Sequence, residues 1–167
     1  RSNAVQALDD ADSLLSEKGY RPEIVFFDLP GTLKSDGVIK TLSQMDYIFT
    51  PVSADRFVVE SALQFVMMFN DNLVTTGLAK TKDISLFWTM VDGREKTGLY
   101  DLYGKLFAEN NFRVLDTRLP DSKRFRREPS DDRKSVFRST ILPPDTSMLK
   151  GSRIRELSEE ICSIING

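Results

Sequence analysis

The chain has 167 residues, 40% hydrophobic and 29% charged, a balance that matches an ordinary globular domain long enough to bury a core. A net charge of −2 and a pI near 5.3 exclude a general electrostatic attraction to nucleic acid or anionic lipid, so any such binding must come from a local patch. With no histidine, triads built on that residue are ruled out; with Cys162 as the single cysteine, so is a disulfide framework.

The sequence contains no apolar run of about 18 residues and no signal-peptide pattern, so no membrane span is expected and the location expected is cytoplasmic. Ser2-Asn3-Ala4, after Arg1, resembles the scar of a cleaved expression tag, and residues 1–4 are set apart from the fold. Residues 5–18 are expected to form an opening helix. Ile24-Val25-Phe26-Phe27 is a compact apolar run closed by Asp28-Leu29-Pro30-Gly31, which predicts a buried strand ending in a turn. A helix is expected over 35–45, and Asp46 to Val52 (DYIFTPV) predicts a second strand. Arg56 to Leu73 predicts a long helix carrying Phe57, Leu63, Phe65, Val66, Met67 and Phe69. Asp83 to Val91 (DISLFWTMV) predicts a third strand; Trp88 and the phenylalanine-rich helix before it are assigned to the core. Gly98 to Asn110 has Leu99, Leu102, Tyr103, Leu106 and Phe107 at helical spacing, and Phe112 to Thr117 predicts a fourth strand. Residues 118–151 are rich in Arg, Lys, Asp, Ser and Pro and read as an extended functional loop. Arg153 to Ile165 closes the chain as an amphipathic helix assigned to packing. The alternation of continuous apolar strands with helices predicts an α/β fold: a mostly parallel sheet of at least four strands with helices on both faces.

Ligands of open parallel sheets bind outside the carboxyl ends of the strands, which draws attention to Asp28. An apolar strand ending in Asp has the form of a Walker B element, whose carboxylate holds magnesium against nucleotide phosphates. An Asp before a Pro-Gly turn equally serves as a turn cap. Four linked segments carry a more specific resemblance: FFDLPGTL, DYIFTPVSADRFVVE, SLFWTMVDGREKTGLYD and VLDTRLPDSKRFRRE. In order and spacing they resemble the Walker B strand and the segments after it in ParA/MinD-type partitioning ATPases. SKRFRRE and KSVFRSTILPPD are similar to the ParA-like proteins of conjugative transposons, and the likeness covers about residues 20–165.

The resemblance implies a P-loop NTPase-like fold and a deviant-Walker ATPase that uses ATP and Mg2+. It further implies a homodimer formed around nucleotide, non-specific duplex DNA binding, and a ParB-like or conjugation-machinery partner. The process implied is the partition or positioning of plasmid or conjugative-element DNA, away from the membrane. The chain departs from the family in having no glycine-rich turn followed by Lys and Ser or Thr; Ala79-Lys80-Thr81 lacks the preceding glycines. Residues 5–167 are therefore expected to be the C-terminal portion of a ParA-like ATPase domain with the Walker A strand absent, binding no ATP or Mg2+ and inactive by itself. The alternatives are a non-catalytic DNA-binding or adaptor module that retains the fold, and a structural subunit that uses the same surface for pairing.

Carried over residue by residue, the resemblance makes Asp28 the catalytic and metal-holding Walker B carboxylate, with Pro30 and Gly31 shaping the turn beside the γ-phosphate. It places Met90 and Asp92 on the strand that approaches the base, and Pro120 and Asp121 on the loop lining the adenine pocket. Met90 equally reads as a core methionine. Arg94 and Arg124 match positions where family members carry DNA-contacting arginines, and Lys123, Arg126 and Arg127 extend the second into a basic cluster. The competing reading is a solvated loop whose charges balance Glu128, Asp131 and Asp132. Asp28, Met90 and Pro120 are expected at one edge of the sheet.

Overall fold

The structure, a computed structural model, describes residues 6–29, 36–94, 98–122 and 146–167. The described elements run in the order α1 (Ala7–Lys18), α2 (Asp36–Leu42), β1 (Tyr47–Val52), α3 (Arg56–Phe69), a π-helical turn (Asn70–Val74), β2 (Asp83–Trp88), α4 (Gly98–Glu109), β3 (Arg113–Val114), α5 (Thr146–Leu149) and α6 (Ile154–Asn166). The chain is a mixed α/β structure with one small sheet among the described residues, ordered β1-β2-β3. Strands β2 and β3 pair in parallel, with Ser85 opposite Arg113 and Leu86 opposite Val114. Lys82 donates its N–H to the Asp46 carbonyl and Thr89 to that of Val52, so β1 runs parallel to β2 as well.

Two compact units divide the chain, one of residues 1–48 and 68–83, the other of 49–67 and 84–167. In the first, α1 ends where Gly19 takes φ 66°, a left-handed conformation that glycine adopts without a Cβ penalty. The Tyr20 N–H then reaches back to the Leu15 carbonyl at 3.0 Å and closes the last turn. Helix α1 buries none of its residues, whereas Val38, Thr41 and Leu42 of α2 are buried. The segment before β2 is held by backbone bonds, from Lys80 to Ser43 and from Lys82 to Asp46, together with the Thr81 hydroxyl donating to the Met45 carbonyl at 2.9 Å.

The second unit holds the sheet core. On β2 consecutive side chains leave opposite faces, and Phe87 and Trp88 show it. Trp88, 1% exposed, meets Tyr100 of α4 edge-on at 5.1 Å and lies 6.1 Å from Phe107. Phe87 instead packs with Phe49 and Leu119 against Leu157 and Ile161 of α6 around Leu115. Helices α4 and α6 thus cover opposite faces. Helix α3 begins at Asp55, whose Oδ1 accepts the N–H groups of Phe57 at 2.9 Å and Val58 at 3.1 Å, supplying partners that the first helical turn lacks.

Several sequence expectations are corrected. Residues 24–29 carry no regular secondary structure, and Val25 and Phe26 are exposed, so the described sheet has three strands rather than four. An apolar run becomes a strand only when a neighbour takes its N–H and C=O groups, and no ladder of the described sheet includes this one. The long helix is α-helical only to Phe69, with the π-helical turn next in the chain. Its buried positions are Val59, Ala62, Val66 and Phe69, while Phe57 is 76% exposed and is not core. Within the expected 118–151 loop the short helix α5 forms, and residues 123–145 lie outside the described residues, as do 1–4.

Candidate functional site

The carboxyl ends of β2 and β3 bring four of the candidate residues together. Beyond Leu86, whose carbonyl accepts the Leu115 N–H at 2.8 Å, the chain continuing from β3 leaves the ladder for three residues and returns at Leu119, which donates to the Trp88 carbonyl at 2.8 Å. Val91 then donates to Leu119 at 3.0 Å and accepts from Asp121 at 2.9 Å, forming a parallel bridge with Pro120. Pro120 suits this place because its own nitrogen has no hydrogen to offer the ladder. The bridge sets Met90 and Asp92 beside Leu119 and Asp121 at the end of the sheet where open parallel α/β sheets receive ligands.

Met90 is 56% exposed and holds φ 56°, so the core-methionine reading is corrected. A left-handed conformation is uncommon in a residue with a side chain, and here the bonds at Thr89 and Val91 on either side fix it. Two residues on, Asp92 forms a closed turn with Arg94. Its Oδ1 accepts the Arg94 backbone N–H at 2.9 Å and Nε–H at 3.1 Å, and its Oδ2 accepts from the guanidinium at 3.0 Å. The side-chain bond from Arg94, reinforced by the backbone bond, holds the Asp92 carboxyl below the usual carboxylate range. The same bond from Asp92 raises the affinity of the Arg94 guanidinium for its proton. Arg94 is 91% exposed over its side chain, and the ion pair is open to solvent.

The three-residue excursion between Leu115 and Leu119 has its own support. The N–H groups of Asp116 and Thr117 both donate to the carboxylate of Glu160 on α6, to Oε1 at 2.7 Å and to Oε2 at 2.9 Å. Nearby, Arg118 lies 3.7 Å from a carboxylate oxygen of Asp101 and 5.3 Å from the centre of the Tyr100 ring. Neither Glu160 nor Arg118 stands out in the sequence. A glutamate on the border of an amphipathic helix looks like any solvated charge, and the partners of Glu160 lie 43 and 44 residues away.

Asp28 belongs to the first unit, exposed on the irregular segment 24–29. It is a single carboxylate, and among the described residues no group of three or more His, Cys, Asp or Glu side chains could hold a metal ion. A magnesium ion held against nucleotide phosphates takes only one or two carboxylates, the rest of its shell being phosphate oxygens and water, so Asp28 would supply one ligand of such an ion. Pro30 and Gly31, and the basic residues Lys123, Arg124, Arg126 and Arg127, lie outside the described residues. Among the described residues no helix is long and apolar enough to cross a membrane. No family model matches the chain, and no curated protein matches it.

Proposed function

We propose that this chain is the C-terminal portion of a ParA/MinD-type partitioning ATPase, similar to those of conjugative transposons. In this reading the longer protein binds ATP with magnesium, forms a homodimer around the nucleotide and coats duplex DNA without sequence preference, positioning plasmid or conjugative-element DNA. The observation that carries it is the ladder joining Val91 to Pro120, with Met90, Asp92 and Asp121 beside it. These residues were selected by resemblance, and they adjoin at the sheet end suited to a ligand. The strongly exposed Met90 side chain suits an apolar contact with a planar base. Asp28 serves as the magnesium-side carboxylate, and the phosphate-cradling loop comes from sequence preceding residue 5.

The test is the open reading frame and the protein it encodes. An upstream glycine-rich loop ending in Lys-Ser or Lys-Thr, with ATP hydrolysis that Asp28→Ala abolishes, supports the reading. A reading frame without that loop, whose product still binds DNA, replaces the ATPase with a non-catalytic DNA-binding or adaptor module.

A further inference from the structure

The nucleotide reading leaves Glu160 unused, although it makes the bonds that join α6 to the excursion leading into Pro120. We infer that Glu160 is a positioning residue: its carboxylate fixes the backbone of 116–121 and so sets where Pro120 and Asp121 stand against Met90 and Asp92. The placement of those residues as ligand contacts rests on the proposed function; the backbone clamp does not.

Leu115 and Leu119 donate to the β2 carbonyls of Leu86 and Trp88, and the three residues between them leave the ladder. The amides of Asp116 and Thr117 point out of that ladder and are taken by Glu160. An ionised carboxylate accepting two N–H groups makes stronger bonds than neutral acceptors do, and the two bonds together fix position and orientation. Glu160 cannot follow a shift of the loop, because Leu157 and Ile161 of the same helix are buried against Leu115, the residue from which the excursion departs. The clamp and its anchor therefore grip one segment at two points, and the returning chain has one register in which Leu119 meets Trp88 and Pro120 meets Val91. A carboxylate placed only to solubilise α6 would have no reason to engage two backbone amides of another segment.

Amide hydrogen exchange measured at each residue tests this in the 167-residue chain, comparing Glu160→Ala and Glu160→Gln with Glu159→Ala as a control on the exposed side of the same helix. The Leu115 amide, bonded to Leu86 ahead of the excursion, is the internal reference. Glu160→Ala is expected to accelerate Asp116, Thr117, Leu119 and Asp121 by about tenfold relative to Leu115. Glu160→Gln, which keeps one oxygen acceptor and the side-chain volume, is expected to fall between, and it carries the test if the alanine variant does not fold. If Asp116 and Thr117 accelerate while Leu119 and Asp121 keep their protection, Glu160 merely caps two amides and the inference fails; unchanged exchange at all four overturns it equally. In the longer protein, Glu160→Gln should weaken ATP binding by about tenfold, the scale of one charge-assisted hydrogen bond. A wild-type longer protein that binds no ATP defeats the nucleotide reading, and the exchange ratios then decide the clamp alone.

Discussion

Arg94 grips Asp92 through three bonds, one from its backbone N–H and two from its guanidinium, all between 2.9 and 3.1 Å. Because these bonds favour the ionised form, the Asp92 carboxyl should titrate below the ordinary aspartate value of about 3.9, and Arg94→Ala should return it toward that value. With the folded value depressed, the turn is strengthened above the ordinary aspartate value, and that support is lost as pH falls through the folded one. Titrating the Asp92 side-chain carboxyl carbon by NMR across the acid range in both proteins decides the matter; coincident curves would show the ion pair absent in solution.

The same relationship bears on DNA binding, since a phosphate would compete with Asp92 for the Arg94 guanidinium. In the longer, ATP-loaded protein, Asp92→Asn keeps an oxygen for the Arg94 N–H but removes the competing charge, so affinity for unrelated duplexes should rise. Arg94→Ala with Arg124→Ala should weaken binding to all sequences alike and flatten the log–log salt dependence by about two units, near 0.9 for each phosphate contact. A salt slope unchanged in the double variant returns both arginines to the solvated surface.

Trp88 joins the central strand to α4 and is buried between Tyr100 and Phe107. Trp88→Ala should lower unfolding stability by about 3–5 kcal/mol, and Trp88→Phe by less, because the phenyl ring refills part of the space. Urea unfolding monitored by circular dichroism measures both. A loss under about 1 kcal/mol for the alanine variant would mean that the face between β2 and α4 is not tightly packed.

Asp55 caps α3 with bonds to Phe57 and Val58. Asp55→Ala should cost about 1 kcal/mol, and Asp55→Ser, which retains an acceptor, should recover most of it. Equal losses for Ala and Ser in the same urea experiment would remove the cap from the account.

Apolar spacing located the helices Arg56–Phe69, Gly98–Glu109 and Ile154–Asn166, and Trp88, assigned to the core, is buried. Spacing could do so because helices satisfy their backbone locally and advertise a buried face at fixed spacing. Strands depend on neighbours, and here the sequence misled. Ile24–Phe27 has the composition of a buried strand yet pairs with none in the described sheet, and the strand read over 112–117 shrinks to Arg113–Val114 because the chain leaves the ladder after Leu115. The exposure of Phe57 and the left-handed backbone of Met90 were likewise invisible in composition, since both depend on what surrounds them. Among the candidate residues, resemblance selected Met90, Asp92, Pro120 and Asp121, but only tertiary structure decided that a bridge between Val91 and Pro120 makes them neighbours. Tertiary structure also decided that Glu160 meets Asp116 and Thr117. Bonds across more than forty residues leave no spacing rule in the sequence; they exist because the folded core brings α6 against the end of β3.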